Sequence, residues 1–209
     1  MRMLSQSVEA AKRMKRFLAI VSLLYVVSYL IGWYMVNSQI PAAVLMKQGI
    51  HEAVLSEEPF VFVIDFLKRG QLLEAIVATF TVNLSVGAFL STTLPGIIPF
   101  VGALAIGAVT LIRGFVIGVT YPEVLAASPA AFVLGMGTLI LELGAYVFSG
   151  AAGINIAMAP LFPRRYGVQS RIEAFKRAWI DAARVFIIVA ILLVFGAIWE
   201  MTGLFLIAR

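Results

Sequence analysis

The sequence contains no cysteine and a single histidine, His51. Without cysteine there is no disulfide, no thiol nucleophile and no thiolate metal site, and one histidine cannot form a histidine cluster. Phosphate-binding glycine loops, nucleophile elbows and zinc-ligand spacings are also missing from it. We therefore expect a protein that is not an enzyme and that uses no metal and no cofactor.

Charge is also scarce. Only 13% of the residues are charged, whereas 62% are hydrophobic and the mean hydropathy is +1.01. In soluble domains about a quarter of the residues are charged and roughly half are apolar. The sequence therefore predicts an all-α fold, a polytopic membrane helix bundle with additional amphipathic interfacial helices, which forms one domain over residues 1–209.

Apolar runs long enough to cross a bilayer, which takes about 20 helical residues, occur five times. We place these spans at residues 17–36, 71–94, 97–119, 130–158 and 185–207. The first run is longer than the apolar core of a signal peptide and no cleavage site follows it, so we interpret it as a retained span. The fourth is longer than a bilayer requires and must tilt, break near Gly150 to Gly153, or project from the membrane. Pro122 and Pro129 are expected to end the third helix and begin the fourth.

The basic residues indicate the orientation of these spans. The chain has 16 Lys and Arg against 11 Asp and Glu, a net charge of +5, and the basic residues cluster in residues 1–16 and 160–184. Basic segments that flank apolar spans belong on the cytoplasmic side, and this pattern points away from nucleic acid. We predict a cytoplasmic amino terminus, an extracytoplasmic carboxyl terminus and an external loop at 37–70. Within that loop, residues 42–55 and 59–67 fit helices along the membrane surface, or else a partly ordered loop.

The second basic segment also has amphipathic spacing. Ile172, Phe175, Trp179 and Ala183 fall on one face of a helix that fits the cytoplasmic headgroup layer. Basic side chains in that layer are attracted to anionic lipid. The residues that we expect at the lipid headgroups are Arg164, Arg165, Arg171, Lys176 and Arg177.

Polar groups inside the spans are candidates for a site, because an ionised group in the bilayer normally faces protein or water. They form a predicted intramembrane cluster of Asn83, Arg113, Glu142 and Glu200. Counted along the helices, Asn83 and Glu142 lie at one depth, whereas Arg113 matches Glu200. Three interpretations stay open: hydrogen bonds and one ion pair that tie helices together, a proton or ion relay centred on Glu142, and docking of a partner.

Small residues recur in the third and fourth spans and predict close helix packing. They are Gly114, Gly118, Gly144, Ser149, Gly150 and Gly153. Two pairs have GxxxG-type spacing, which predicts self-association, although the same faces can be used within the bundle. Alternatively, Gly150 to Gly153 marks an unwound helix of the kind that lines transporter sites.

Three stretches resemble the stage II sporulation protein M family of membrane proteins: Phe80 to Asn83, the Arg113-Gly114 pair with Gly118, and Leu141 to Gly153. The family typically has an Asn-Gly pair in the third span and a Pro-His-Gly-Ile-x-Glu-Leu-Pro-Ala run in the fourth. Glu142, Leu143 and Ala145 match that run. The family histidine falls on Thr138, its two prolines fall on Gly137 and Gly144, and its asparagine falls on Arg113.

The resemblance implies a membrane subunit without catalytic machinery, which in spore-forming bacteria holds cell-wall hydrolases at the engulfing membrane. Our leading hypothesis is accordingly a non-enzymatic membrane scaffold or assembly subunit. The alternative is a small transporter or channel subunit that uses the intramembrane polar groups. Its expected partners are the lipid bilayer and either a second copy of the chain or other membrane proteins.

Overall fold

The computed structural model describes residues 2–56 and 60–207, and these ranges are helical without any strand. The α-helices are α1 (Arg2–Arg13), α2 (Lys15–Asn37), α3 (Pro41–Ser56), α4 (Phe60–Lys68), α5 (Leu72–Val82), α6 (Val101–Ala127), α7 (Pro129–Thr138), α8 (Gly144–Met158) and α9 (Arg171–Ile207). Two π-helical segments, Asn83–Leu90 and Leu139–Leu143, continue α5 and α7. Short 3₁₀ turns occur at Leu94–Ile97 and Pro163–Tyr166.

Five of the continuous helical stretches are long and apolar enough to cross a membrane. They are Lys15–Asn37, Leu72–Ile97, Val101–Ala127, Pro129–Met158 and Arg171–Ile207. Large apolar side chains are exposed along all five, for example Leu23, Val77, Leu104, Val133 and Phe195. Such exposure fits a bundle surrounded by lipid, and the all-α membrane-bundle prediction is confirmed.

The third spanning helix is longer than predicted. Pro122 lies inside α6, which continues to Ala127, so the prediction that Pro122 ends this helix is wrong. A proline removes one backbone hydrogen bond, but packing against neighbouring helices can hold the remaining turns. Here α3 packs against the end of α6, and Lys47 forms an ion pair with Glu123. Pro129 begins α7 as predicted, and the Ser128 hydroxyl accepts a hydrogen bond from the Ala131 amide at 3.1 Å.

Residues 171–184 of the second basic segment form one helix with the last span. We predicted a separate amphipathic helix in residues 160–184, but α9 runs from Arg171 to Ile207 without a break. No glycine or proline lies between Arg171 and Val185 that would interrupt it. One face of its first four turns is buried, including Ala174, Ala178 and Asp181, and packs against α1.

The loop at residues 37–70, which we predicted to be external, is largely helical, since α3 and α4 cover most of the two segments predicted there. Pro59, which begins the second predicted segment, lies outside the described residues, as do Glu57 and Glu58 before it. Helix α3 packs against both α4 and α6. The loop is thus folded onto the end of the bundle.

Helix α8 lies at the centre of the bundle and contacts α2, α6 and α9. Every residue from Ser149 to Ala157 is buried. The helix is continuous through Gly150 and Gly153, so a break at this point, one of the three alternatives for the long fourth span, does not occur. The irregular turns of this span lie earlier, at Leu139–Leu143. Small side chains make the central position of α8 possible because they let neighbouring backbones approach closely.

The small-residue faces are already occupied within the chain. A Cβ atom on Gly114 would lie 2.9 Å from the Tyr25 carbonyl oxygen of α2, and one on Gly118 would overlap the backbone of the same helix. On the other face, a Cβ on Gly153 would lie 3.0 Å from the Thr93 Cα atom. The faces on which we based self-association therefore pack against the same chain. Gly150 faces Val21, and Gly144 has only Leu192 nearby at 3.8 Å.

Candidate functional site

Asn83 and Glu142 meet inside the bundle, as their common depth predicts. The Asn83 Nδ2 donates a hydrogen bond to Glu142 Oε1 at 2.7 Å. Asn83 is the first residue of one π-helical segment, and Glu142 lies in the other. A π-helical turn changes the direction in which the following side chains point and is frequent at functional sites. The sequence showed the two residues but not this local geometry.

Tyr146 completes the hydrogen bonding of Asn83. Its hydroxyl donates to Asn83 Oδ1 at 2.9 Å, so the amide uses its nitrogen and its oxygen at once. We did not single out Tyr146 from the sequence. The available signal was its spacing, because a residue four positions after Glu142 lies on the same face of a helix.

Arg113 lies next to this group without joining it by an ion pair. Its Nη1 donates to the Gly87 carbonyl oxygen at 3.0 Å, and its Nη2 donates to Ser91 Oγ at 3.1 Å. The guanidinium carbon is 4.6 Å from the centre of the Tyr146 ring, a cation–π contact. Within residues 2–56 and 60–207, Arg113 forms no ion pair with either predicted glutamate.

The expected match between Arg113 and Glu200 is therefore wrong, and the reason is the length of α6. Because this helix continues to Ala127, Arg113 lies near its middle and not near its outer end. At that level its neighbours are Gly87, Ser91 and Tyr146.

Glu200 instead meets Glu142. The two carboxyl groups lie close enough to influence each other electrostatically. Glu142 packs on Gly196, one helical turn before Glu200, and a Cβ on that glycine would lie 3.2 Å from Glu142 Cγ. We call Asn83, Arg113, Glu142, Tyr146 and Glu200 the intramembrane cluster.

The position of the family histidine does not contribute to this cluster. Thr138 is buried, and its hydroxyl donates to the Leu134 carbonyl oxygen of its own helix at 3.1 Å. The Trp199 indole donates to the same oxygen at 3.0 Å and covers Gly137. This part of the fourth span is thus tied to α9 by a tryptophan.

In the described ranges, no three His, Asp or Glu side chains come together at one point. The arrangement of the cluster allows hydrogen bonding and proton exchange. It contains no pair of a nucleophile and a base.

The residues expected at lipid headgroups divide into two sets. Arg164, Arg171 and Lys176 are exposed and lie outside the pocket that the other two residues line. Arg165 and Arg177 line a pocket at the end of the bundle, which is formed by α1, α8, the 3₁₀ turn Pro163–Tyr166 and α9. Neither this pocket nor its other residues was foreseen. A signal existed for Asp181, which recurs with Ala174 and Ala178 on the buried face of α9.

Asp181 links α1 to α9 beside that pocket. Arg13 donates from Nε to Asp181 Oδ2 at 2.9 Å and from Nη2 to Oδ1 at 2.5 Å, a two-point ion pair. The hydrogen bond to Asp181 raises the pKa of Arg13 above its usual value. The guanidinium charge is therefore permanent, and the pair fixes α1 against the bundle.

The comparisons with known proteins agree with this architecture. No curated protein and no solved structure matches the chain. A family model does match it, over residues 21–202, which include all but the edges of the five spans and every member of the intramembrane cluster. The five long apolar helices, the acid in the fourth span and this match together show that the chain belongs to the stage II sporulation protein M family.

Proposed function

We propose that this protein is a non-enzymatic membrane scaffold or assembly subunit that holds other membrane proteins. The observation that carries the proposal is the internal pairing of the intramembrane cluster. Asn83 uses both ends of its amide on neighbouring side chains, and Arg113 uses two nitrogens on the second span. Polar groups that hydrogen-bond to one another in this way hold helices together. They are not presented to a substrate.

This proposal puts partner contacts on the outer surface. Since the small-residue faces are occupied within the chain, a partner has to contact the exposed apolar side chains or the ends of the bundle. An inserted photoreactive residue tests this directly. It is placed in turn at Leu23, Val77, Leu104, Val133 and Phe195, which are 54 to 62% exposed, and at the buried Ile106 as control.

We expect illumination in intact membranes to link one defined membrane protein to neighbouring exposed positions, and nothing to Ile106. The same partner should be recovered when the experiment is repeated with the isolated components in nanodiscs. If none of the exposed positions yields a protein adduct, the scaffold proposal fails.

A second candidate, a small transporter or channel subunit, is favoured by the contact between Glu142 and Glu200. Two neighbouring carboxyl groups can exchange a proton with water if water reaches them. Proton flux into liposomes is the measurement, with wild type, Glu142→Gln and Glu200→Gln. Flux that is present in wild type and lost in both variants would replace the scaffold by the transporter. Equal background leakage in all three supports the scaffold.

A further inference from the structure

The pocket at the basic end of the bundle has the composition of an anion site. It has a volume of about 470 Å³, within the range of about 300–1,000 Å³ that is typical of ligand pockets. Four guanidinium groups and one carboxylate line it, which leaves a net charge of +3. The arginines are Arg13, Arg165, Arg177 and Arg184, and the carboxylate is Asp181. We call it the arginine pocket.

The four arginines differ in how many of their donors are already used in hydrogen bonds and ion pairs. Arg13 is bound to Asp181 at two points, and Arg184 reaches the same carboxylate only at 3.6 Å. Arg177 donates to Glu173 and to the Tyr166 carbonyl oxygen. Arg165 stacks on the Phe17 ring at 4.5 Å and has no carboxylate partner within the described ranges. Arg165 and Arg184 therefore keep donors for a ligand.

Asn155 supplies an independent observation. It lines the pocket, its exposed fraction is 3%, and its Nδ2 has no hydrogen-bond partner among the residues that the structure describes. Its Oδ1 accepts from the Tyr166 hydroxyl at 2.6 Å. The same hydroxyl lies 3.1 Å from the Asn155 main-chain carbonyl oxygen. Burial raises the pKa of Tyr166 to about 12, so this hydroxyl keeps its proton near neutral pH. A buried donor without a partner is costly unless an acceptor is supplied.

The wall of the pocket also contains an apolar side chain. Ile180 lines it and is 52% exposed, next to the arginines on α9. An anionic group in the pocket could therefore be continued by an apolar chain along the helix. Guanidinium groups bind phosphate oxygens by paired, charge-assisted hydrogen bonds.

We propose that the arginine pocket binds a phosphate-bearing group, with Arg165 and Arg184 holding its oxygens and Asn155 Nδ2 donating a further hydrogen bond. The phosphate belongs either to the headgroup of an anionic phospholipid or to a soluble phosphate ester. This inference does not depend on the scaffold proposal.

Binding is tested with the full chain in detergent by native mass spectrometry and thermal unfolding. The probes are phosphatidylglycerol, phosphatidylcholine and glycerol 3-phosphate. The variants are Arg165→Gln and, as a matched control, Arg164→Gln, which removes the same charge from the neighbouring exposed residue outside the pocket. Asn155→Asp keeps the oxygen that Tyr166 contacts and replaces the free donor with a negative charge.

We expect Arg165→Gln to weaken binding of the preferred probe roughly tenfold, as the loss of one charge-assisted bond predicts. Arg164→Gln should have little effect, and Asn155→Asp should weaken binding at least as much as Arg165→Gln. Unfolding without ligand checks that both pocket variants remain folded. Preference for phosphatidylglycerol identifies a lipid headgroup, whereas stabilisation by glycerol 3-phosphate without that preference identifies a soluble ester. Equal losses in Arg164→Gln and Arg165→Gln, or no preferential binding of either anion, would overturn the proposal.

Discussion

The intramembrane cluster and the arginine pocket differ in how completely their polar atoms are paired. In the cluster, the Asn83 amide bonds on both sides, to Glu142 and to Tyr146. In the pocket, the Asn155 amide oxygen accepts from Tyr166, whereas its nitrogen has no partner within residues 2–56 and 60–207. The asparagine amide is thus fully hydrogen-bonded in the cluster, which we call closed, and it keeps a donor for a ligand in the pocket.

The surroundings of the two regions explain this difference. Within hydrocarbon no water is available to hydrogen-bond a polar group, so its partners have to come from the protein. At the end of a bundle, water, ions and lipid headgroups are all available. A polar cluster in the membrane therefore needs its hydrogen-bond partners within the protein, whereas a pocket at the interface can keep donors for a ligand.

The largest expected effect is the all-or-none labelling that tests the orientation of both regions. Since the chain has no cysteine, single cysteines can be placed at Ser5 and Gln169, near the arginine pocket, and at Ser38 and His51 on the opposite side. An impermeant thiol reagent applied to intact cells should label positions 38 and 51 only. Labelling at 5 or 169 would place the arginine pocket outside the cell and reverse the predicted topology.

Breaking the closed cluster should have the next largest effect. Glu142→Leu leaves the Asn83 nitrogen without its acceptor, and we expect a loss of about 1–3 kcal/mol in the free energy of unfolding. Glu142→Gln keeps an oxygen for Asn83 and a donor for Glu200, so its stability should stay close to that of wild type. Thermal unfolding in detergent measures both. Equal losses in the two variants would show that the charge matters and not the hydrogen bonding.

Asp181→Asn should lower the stability of the protein and raise the affinity of the arginine pocket for phosphate. The asparagine cannot accept both bonds from Arg13, so we expect a loss of about 1 kcal/mol, which is moderate because Arg13 is half exposed. At the same time the net charge of the lining rises from +3 to +4, and affinity for the phosphate probe should increase several-fold. If stability and affinity fell together, Asp181 would be positioning the arginines for the anion.

The smallest effect is expected at the exposed ion pair between Glu9 and Lys12 on α1. Lys12 lowers the pKa of Glu9, but both side chains are largely in solvent, where such pairs contribute little. Glu9→Gln should leave the midpoint of thermal unfolding unchanged within error and serves as the charge control for Asp181→Asn. A clear shift would mean that α1 is held by more than its contact with α9.

The sequence alone determined the number of spans, the two basic segments and the common depth of Asn83 and Glu142. These properties are local, since the length and apolar character of each segment decide whether it fits a bilayer, and counting residues along a helix gives depth. The acid in the fourth span could be recognised for the same reason. An isolated carboxyl group in an apolar helix needs a partner within the protein, and this can be inferred before that partner is identified.

Only the tertiary structure decided which side chains meet at a given depth. Packing kept α6 helical beyond Pro122, which moved Arg113 to the middle of its helix and away from Glu200. Packing also placed Glu200 beside Glu142 and set the small-residue faces against other segments of the same chain. Depth fixes a residue along the membrane normal, whereas its neighbours depend on the rotation and order of helices around the bundle. The arginine pocket combines residues of α1, α8, the Pro163–Tyr166 turn and α9, which are separate parts of the chain, so no local pattern contained it.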